Sequence, residues 1–362
     1  MVEQAPTATR RRSRVRLAVQ VTVSLVLVVV IFYFLLKKID LGQVWTAITD
    51  MTWLELTLLG LLALWNLCTY AFVWMAVTPA PGLSFGHAMV MTQSSTAAAN
   101  TVPGGGAIGI GMTYTMLGSW GYSRSKATTA VLVSGVWNSF IKLAMPVLAL
   151  ALVLLQGGAG GGRVTAALLG IAGLVGSIVV FALILRSEEM ARRFGLLAGR
   201  VASRVLGLVR RPPVHGWELA TTKFRARTLD LLERGWVPIT VASLVSHLSL
   251  YLVLLVALRD VGVSDAEVGW AQVLAAFAFA RLATAIPFTP GGLGVVEVVL
   301  IATLVAVGGD REQVTAAVLV YRALTWGLPI VVGVANYLWW RRQSLLTATR
   351  DRTAVGSQRQ AR

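Results

Sequence analysis

Four ionisable residues, Arg281, Glu297, Arg322 and Lys142, lie inside long apolar stretches, where a charged side chain is expensive and so indicates function. Arg281 lies nine residues before Pro290, and Glu297 lies seven residues after it. If both flanking segments are helical, with a rise of about 1.5 Å per residue, the two charges lie at similar depth. We therefore expect an ion pair between Arg281 and Glu297, which either pins the two segments together or helps to hold a ligand.

The other two bases lie in separate predicted spans. Arg322 lies eight residues into the last span, and Lys142 lies well inside an earlier span, with Asn138 one helical turn before it. Helical spacing places Asn138 and Lys142 on one face. Because Arg281, Arg322 and Lys142 supply more buried positive than negative charge, we expect them to bind phosphate or another anion, with Glu297 orienting it or coupling its movement.

A break in the apolar sequence separates Arg281 from Glu297. From Pro287 to Glu297 the chain is P-F-T-P-G-G-L-G-V-V-E, and its prolines and glycines prevent one continuous helix. In lipid, such a break survives only where protein or a water-filled cavity satisfies the freed backbone groups. Free amides at the start of a half-helix can bind anions, but small residues also allow helices to pack closely, and both interpretations stay open. The glycines concerned are Gly104, Gly105, Gly106, Gly291, Gly292 and Gly294.

The same break occurs earlier in the chain, which indicates an internal repeat. Pro103-Gly104-Gly105 corresponds to Pro290-Gly291-Gly292 at an offset of 187 residues, and Arg124 corresponds to Arg311 at the same offset. Repeat one lies at about 53–155 and repeat two at about 237–340. When the predicted membrane crossings are counted, the two repeats have opposite orientations in the membrane. Inverted repeats with broken helices are a recurrent plan of transporters.

The composition predicts the fold class. The chain is 56% hydrophobic and 13% charged, which is far more apolar than a soluble domain, and several runs are long enough to cross a bilayer. We predict an all-α polytopic membrane protein with about six full spans, two re-entrant hairpins and eight to ten helical segments in all. The segments beside each Pro-Gly break are shorter than a typical transmembrane span, which favours re-entrant hairpins. Two steep spans remain the alternative.

The positive charge is concentrated in blocks beside the predicted spans. Of 32 Lys and Arg residues, five lie in Arg10–Arg16, eleven in Arg186–Arg234 and six after Trp340. Such blocks mark the cytoplasmic side and can attract anionic headgroups, so we expect no nucleic-acid partner. The middle block is either an amphipathic helix on the membrane surface or a solvated linker. The predicted organisation is a basic tail 1–16, one membrane domain 17–340 and a basic tail 341–362. The membrane domain begins with the span Leu17–Leu36 and contains the cytoplasmic linker 186–235.

The sequence lacks the spacing of the common catalytic and metal motifs. His87, His215 and His247 are scattered, and the one cysteine, Cys68, lies in an apolar run. No phosphate-binding loop of an ATPase occurs. We therefore expect no metal, no cofactor and no enzyme activity.

The run R-L-A-T-A-I-P-F-T-P-G-G-L-G-V-V-E from Arg281 to Glu297, followed by Tyr321-Arg322 and Trp326-Gly327-Leu328-Pro329, resembles the lysylphosphatidylglycerol synthase transmembrane-domain family. These flippase-like proteins also occur alone in bacterial inner membranes. The resemblance extends from about Leu17 to Trp340 and implies a role in lipid translocation. It does not imply synthase activity, because the soluble aminoacyltransferase domain of two-part relatives is not found after Trp340. The matching motif positions are Arg281, Pro290, Gly291, Gly292, Gly294, Glu297 and Arg322.

The first half fits the family pattern less well. The family often has charged residues after its first Pro-Gly turn and in the next span, whereas this chain has Ile110 and the run Ser134-Gly135-Val136-Trp137-Asn138. The contribution of the first half to the site is therefore the weaker part of the resemblance.

The leading functional prediction is movement of an anionic or zwitterionic lipid, or a polyprenyl-phosphate-linked carrier, between the leaflets of a bacterial inner membrane. Both termini would be cytoplasmic, and the basic segments would contact anionic headgroups. The alternatives are a membrane scaffold for a cell-envelope enzyme and an ion-coupled transporter of small solutes.

Overall fold

A computed structural model of the protein describes residues 41–78, 82–102, 105–155, 175–176, 178–208, 216–284 and 289–360. In these residues the regular structure is helical and no strand occurs. Four features of the sequence lie outside the described residues: the predicted tail 1–16, the predicted first span Leu17–Leu36, the glycine-rich loop predicted at 156–163, and Gly104. The sequence also predicts a span at 164–185, of which residues 175–176 and 178–185 are described and helical.

The helices are named in chain order. They are α1 Leu41–Thr49, α2 Trp53–Val77, α3 Phe85–Thr101, α4 Gly105–Ser119, α5 Arg124–Leu155, α6 Glu188–Leu208, α7 Trp217–Asp260, α8 Trp270–Ala283, α9 Val295–Ala306, α10 Arg311–Arg322 and α11 Leu328–Gln360. A short 3₁₀ turn, Pro290–Gly292, precedes α9, and a π-helical segment, Ala323–Gly327, joins α10 to α11.

Several helices begin at a side chain that accepts from the first free amides. Thr52 and Glu55 form a capping box at the start of α2. The Ser84 hydroxyl accepts from the His87 amide at the start of α3, and the Asp310 carboxylate accepts from the first amides of α10. These caps satisfy amide donors that have no partner within the helix, so local sequence sets where these helices start.

Four helices of the described part are long and apolar enough to cross a membrane, namely Trp53–Val77, Arg124–Val153, Trp236–Asp260 and Arg311–Ser344. Two more predicted spans lie wholly or partly outside the described residues. Together with the short apolar helices Trp270–Ala283 and Pro290–Ala306, these segments confirm the predicted class: the protein is an all-α polytopic membrane protein.

The order of helices repeats along the chain. The hairpin α3–α4 in the first half corresponds to α8–α9 in the second, and the helices that follow begin at Arg124 and Arg311, at the predicted offset. The two halves also exchange partners: α3 packs on α11, α8 packs on α5, and α2 packs on α7. Each hairpin thus lies against the last span of the other half, which brings the two breaks towards one another.

Two segments differ from the sequence prediction. The sequence also predicts an external loop from Lys37 to Thr52, after the first span. Its described part contains α1, which packs against α10. The second half of the predicted cytoplasmic linker is helical and continues through Pro238 into the membrane as the 44-residue helix α7. A proline removes one backbone hydrogen bond and often ends a helix, yet α7 is continuous through Pro238.

Gly333 lies where α11 crosses α3. A Cβ atom at this position would lie 2.6 Å from Ala97 Cβ and still closer to the Gln93 carbonyl oxygen. We expect Gly333→Ala to lower the free energy of unfolding by about 1–3 kcal/mol, because the backbones must move apart. Unfolding in mixed detergent micelles measures this. Gly111→Ala, at a site with no atom within 4 Å, is the matched control, and an equal effect of both variants would contradict the close packing.

Candidate functional site

A cavity of about 320 Å³ lies where the two Pro-Gly breaks meet, and all three predicted bases line it. Lys142 comes from the middle of α5, Arg281 from the last turn of α8, and Arg322 from the last turn of α10. The three helices belong to different parts of the chain. Tertiary packing therefore assembles the cationic cavity that the sequence predicted.

Arg322 and Glu297 form a buried ion pair. Arg322 Nε donates to Glu297 Oε1 at 2.7 Å, and the two side chains are 11% and 1% exposed. Arg322 Nη2 also donates to the Gly291 carbonyl oxygen at 3.3 Å. Glu297 lies in the first turn of α9, where the helix dipole favours a negative charge.

The expected pairing of Glu297 with Arg281 is therefore wrong. That prediction assumed two continuous helical arms and compared only their depth. The structure instead has one 3₁₀ turn at Pro290–Gly292, and α9 starts anew after Gly294, which has φ +84°. The new helix turns Glu297 towards α10, since equal depth does not determine the direction in which a side chain projects.

Arg281 is left without the predicted partner. Its Nε is buried and has no hydrogen-bond partner among the described residues. Lys142 is close by, and its Nζ donates at 3.2 Å to the hydroxyl of Thr284, which itself donates to the Arg281 carbonyl oxygen at 2.6 Å. Among the described residues that line this cavity, none has an acidic side chain. Like charges repel each other strongly in an environment that excludes water. The two positive side chains, Arg281 and Lys142, therefore favour an anion between them.

The glycines of the breaks line the cavity but differ in their roles. Gly105, Gly106, Gly291 and Gly292 are all part of its wall. The amides of Gly105 and Gly292 already donate to the carbonyl oxygens of Val102 and Thr289, at 2.7 and 3.2 Å, so these two amides serve the turns. Gly294 caps α9.

Close packing explains why glycine is needed at position 291. Its φ is +57°, and a Cβ atom there would lie 2.5 Å from Asn100 Oδ1 and 2.7 Å from Trp326 Nε1. Asn100 Nδ2 also approaches the Trp326 carbonyl oxygen at 3.4 Å. The first hairpin thus contacts the second break directly, through Asn100.

Trp326 and Thr284 lie within the motifs quoted for the family resemblance, but the sequence did not single them out as site residues. Trp326 lies in the π-helical segment one turn beyond Arg322, whose guanidinium carbon is 5.9 Å from the centre of its ring. π-Helical turns inside α-helices occur frequently at functional sites. The i, i+4 spacing of Arg322 and Trp326 is the one signal in the sequence that could have indicated this contact.

Asn138 lies at a second cavity of about 410 Å³ rather than beside Lys142 in the first. The two cavities adjoin, because Tyr70, Thr96, Ala99 and Arg281 line both. The predicted site residues thus divide between two adjoining cavities, and Arg281 lines both. Ile110, at the position in repeat one that corresponds to Glu297, is 49% exposed on the outer surface of α4, so repeat one contributes no acid at this position.

The comparisons with known proteins agree with this architecture. A search of curated proteins gives no match to the chain. The family model described as Lysylphosphatidylglycerol synthase TM region matches residues 21–333, which includes both hairpins, the ion pair and all three bases of the cavity. Because the match covers most of the 362 residues, the chain belongs to the lysylphosphatidylglycerol synthase TM region family.

Proposed function

We propose that the protein moves a phosphate-bearing lipid between the leaflets of a bacterial inner membrane. One observation carries this proposal: Lys142, Arg281 and Arg322 line one cavity at the meeting point of two broken hairpins, and the acid Glu297 is already paired with Arg322. The candidate substrates are an anionic or zwitterionic phospholipid and a polyprenyl-phosphate-linked carrier.

The chemistry of the cavity suits a phosphate group. A guanidinium offers paired N–H donors to two phosphate oxygens, and a lysine adds a compact charge with three donors. Arg281 would make the direct contact, since its Nε lacks a partner among the described residues. Glu297 would hold Arg322 in place rather than meet the ligand, because it lies behind Arg322 and is almost fully buried.

The repeated helices supply a physical route for the movement. In the proposed topology both termini are cytoplasmic and the two repeats have opposite orientations. Each hairpin packs on the last span of the other half, so rocking one half against the other opens the cavity towards alternate sides. The family membership supports a membrane role linked to lipids, in line with this route.

A second candidate function, docking of a cell-envelope enzyme, is favoured by the surface of α6. Leu197 and Val201 are each 51% exposed on this helix, which also carries Arg192, Arg193 and Arg200. Such a helix suits either an anionic membrane surface or a partner protein. Docking on α6 is compatible with lipid movement, because α6 lies apart from the two cavities.

The test of lipid movement uses the full chain reconstituted in phosphatidylcholine vesicles that contain a trace of acyl-labelled fluorescent phosphatidylglycerol. Dithionite added outside destroys only the fluorescence it can reach. We expect the protein to bring the inner-leaflet probe outwards, so that more fluorescence is lost than in protein-free vesicles.

Acyl-labelled glucosylceramide, which has no phosphate, is the control probe and should stay protected. Equal loss of fluorescence with and without protein would overturn the proposed function. Equal movement of both probes would show that phosphate recognition plays no part in it.

A further inference from the structure

The second cavity has a wall of polar side chains that the phosphate site does not use. Ser243, Ser246 and His247, all on α7, line it and face Asn138 and Ser134 from α5. The three α7 residues are only 3%, 2% and 4% exposed. We call this space, of about 410 Å³, the polar chamber.

Three buried atoms of this wall have unmet hydrogen-bonding capacity. Ser243 Oγ, Ser246 Oγ and His247 Nε2 have no hydrogen-bond partner among the described residues. Buried polar atoms are nearly always paired, because an unpaired one loses its hydration without compensation. Their clustering on one wall therefore indicates a polar ligand that completes them.

The wall calls for a ligand that can donate hydrogen bonds. His247 Nδ1 lies 2.9 Å from the Ser243 carbonyl oxygen, and since a carbonyl only accepts, Nδ1 carries the proton. In the neutral ring, Nε2 is then an acceptor. A phosphate diester has no proton to offer it, whereas a hydroxyl group can donate to Nε2 and both donate to and accept from the serine hydroxyls.

The charges around the polar chamber disfavour a cationic headgroup. In the part of the chain that the structure describes, no acidic side chain lines either cavity, and Glu297 is paired with Arg322. An ammonium group, as in an ethanolamine or aminoacylated headgroup, would lie near Arg281 without a carboxylate to balance it.

We propose that the polar chamber binds the hydroxyl-bearing part of the headgroup, a glycerol or sugar, while the phosphate of the same lipid lies at Arg281 next to Lys142. This inference rests on the proposed function and narrows its substrate to phosphate diesters of a polyol. Arg281 lines both cavities, so a phosphate there would leave its ester substituent to enter the polar chamber.

The test compares two short-chain lipids of equal charge. Dioctanoyl phosphatidylglycerol and dioctanoyl phosphatidylethanol are both diesters with one negative charge, but only the first carries free hydroxyls. Binding to the detergent-solubilised full chain is measured by titration calorimetry. We expect phosphatidylglycerol to bind about five- to tenfold more tightly, as two neutral hydrogen bonds would give. Dioctanoyl phosphatidylethanolamine should bind more weakly than phosphatidylglycerol.

Matched variants assign the preference to the wall. In the double variant Ser243→Ala/Ser246→Ala the preference should fall to about twofold or less, whereas phosphatidylethanol binding stays unchanged and shows that the protein is folded. Ser249→Ala, on the same helix, is the control: its hydroxyl already bonds to the Ser246 carbonyl, so the preference should persist.

The outcomes separate this inference from the proposed function. If both diesters bind equally, or if the serine variants keep the preference, the polar chamber does not recognise hydroxyl groups. The phosphate site is still supported in that case, provided that Arg281→Met weakens the binding of both lipids. If neither lipid binds, the proposed function fails as well. Glycerol 1-phosphate tests whether the ligand is a water-soluble phosphate compound instead of a lipid. If it binds as tightly as dioctanoyl phosphatidylglycerol, the assignment to a lipid is overturned.

Discussion

Replacing Glu297 with leucine should lower the free energy of unfolding by about 3–5 kcal/mol. The change leaves Arg322, which is only 11% exposed, without the carboxylate that neutralises it at 2.7 Å. A guanidinium cannot escape this cost by losing its proton. Reversible unfolding in mixed detergent micelles, followed by tryptophan fluorescence, measures the loss.

Two controls test whether the loss comes from the unpaired charge. The double variant Glu297→Leu/Arg322→Leu removes both charges and should recover most of the stability, because buried ion pairs often give way to apolar pairs at little cost. Glu189→Leu breaks an ion pair with Arg192 and Arg193 at the exposed surface of α6 and should change stability very little. A double variant as unstable as Glu297→Leu alone would show that shape, not charge, dominates.

Replacing Arg281 with methionine should slow the movement of phosphatidylglycerol between leaflets by about 100-fold, while the protein remains folded. The loss corresponds to removing a charge-assisted, paired contact with phosphate. Folding should survive, because Arg281 Nε bonds to no described residue and methionine retains much of the apolar stem. The dithionite assay gives the rate, and thermal unfolding in detergent checks the fold.

A graded series strengthens this test. Arg281→Lys keeps the charge but loses the paired donors, so its rate should lie between those of the wild type and Arg281→Met. Arg311→Met removes an exposed base at the start of α10, away from the cavity, and should move lipid at the normal rate. Normal movement by a folded Arg281→Met protein would remove the central observation from the proposed mechanism.

Much of the architecture followed from local features of the sequence. The length of the apolar runs predicted spans, and the prolines and glycines near positions 103 and 290 predicted hairpins. The offset of 187 residues predicted that equivalent helices start at Arg124 and Arg311, as they do. These predictions succeeded because span length, helix capping and chain breaks depend on residues close together in the chain.

The site itself was only partly predictable. The sequence identified Lys142, Arg281, Glu297 and Arg322 as charges too deep for solvation, and the structure places three of them around one cavity and the fourth behind it. It predicted the wrong partner for the acid, since Glu297 pairs with Arg322 and not with Arg281. Nor did it single out His247, because its Nε2 acquires meaning only from the cavity that it faces.

By itself, then, the sequence determined that this is a membrane protein of helical hairpins with a surplus of deep positive charge. Tertiary structure alone decided that Glu297 neutralises Arg322, that Arg281 stays available, and that a polar chamber adjoins it. The physical reason is that hydropathy and breaks set the depth of a residue, whereas partners depend on how helices rotate and cross. Those rotations are set by packing between segments far apart in the chain, such as α5 against α8 and α3 against α11.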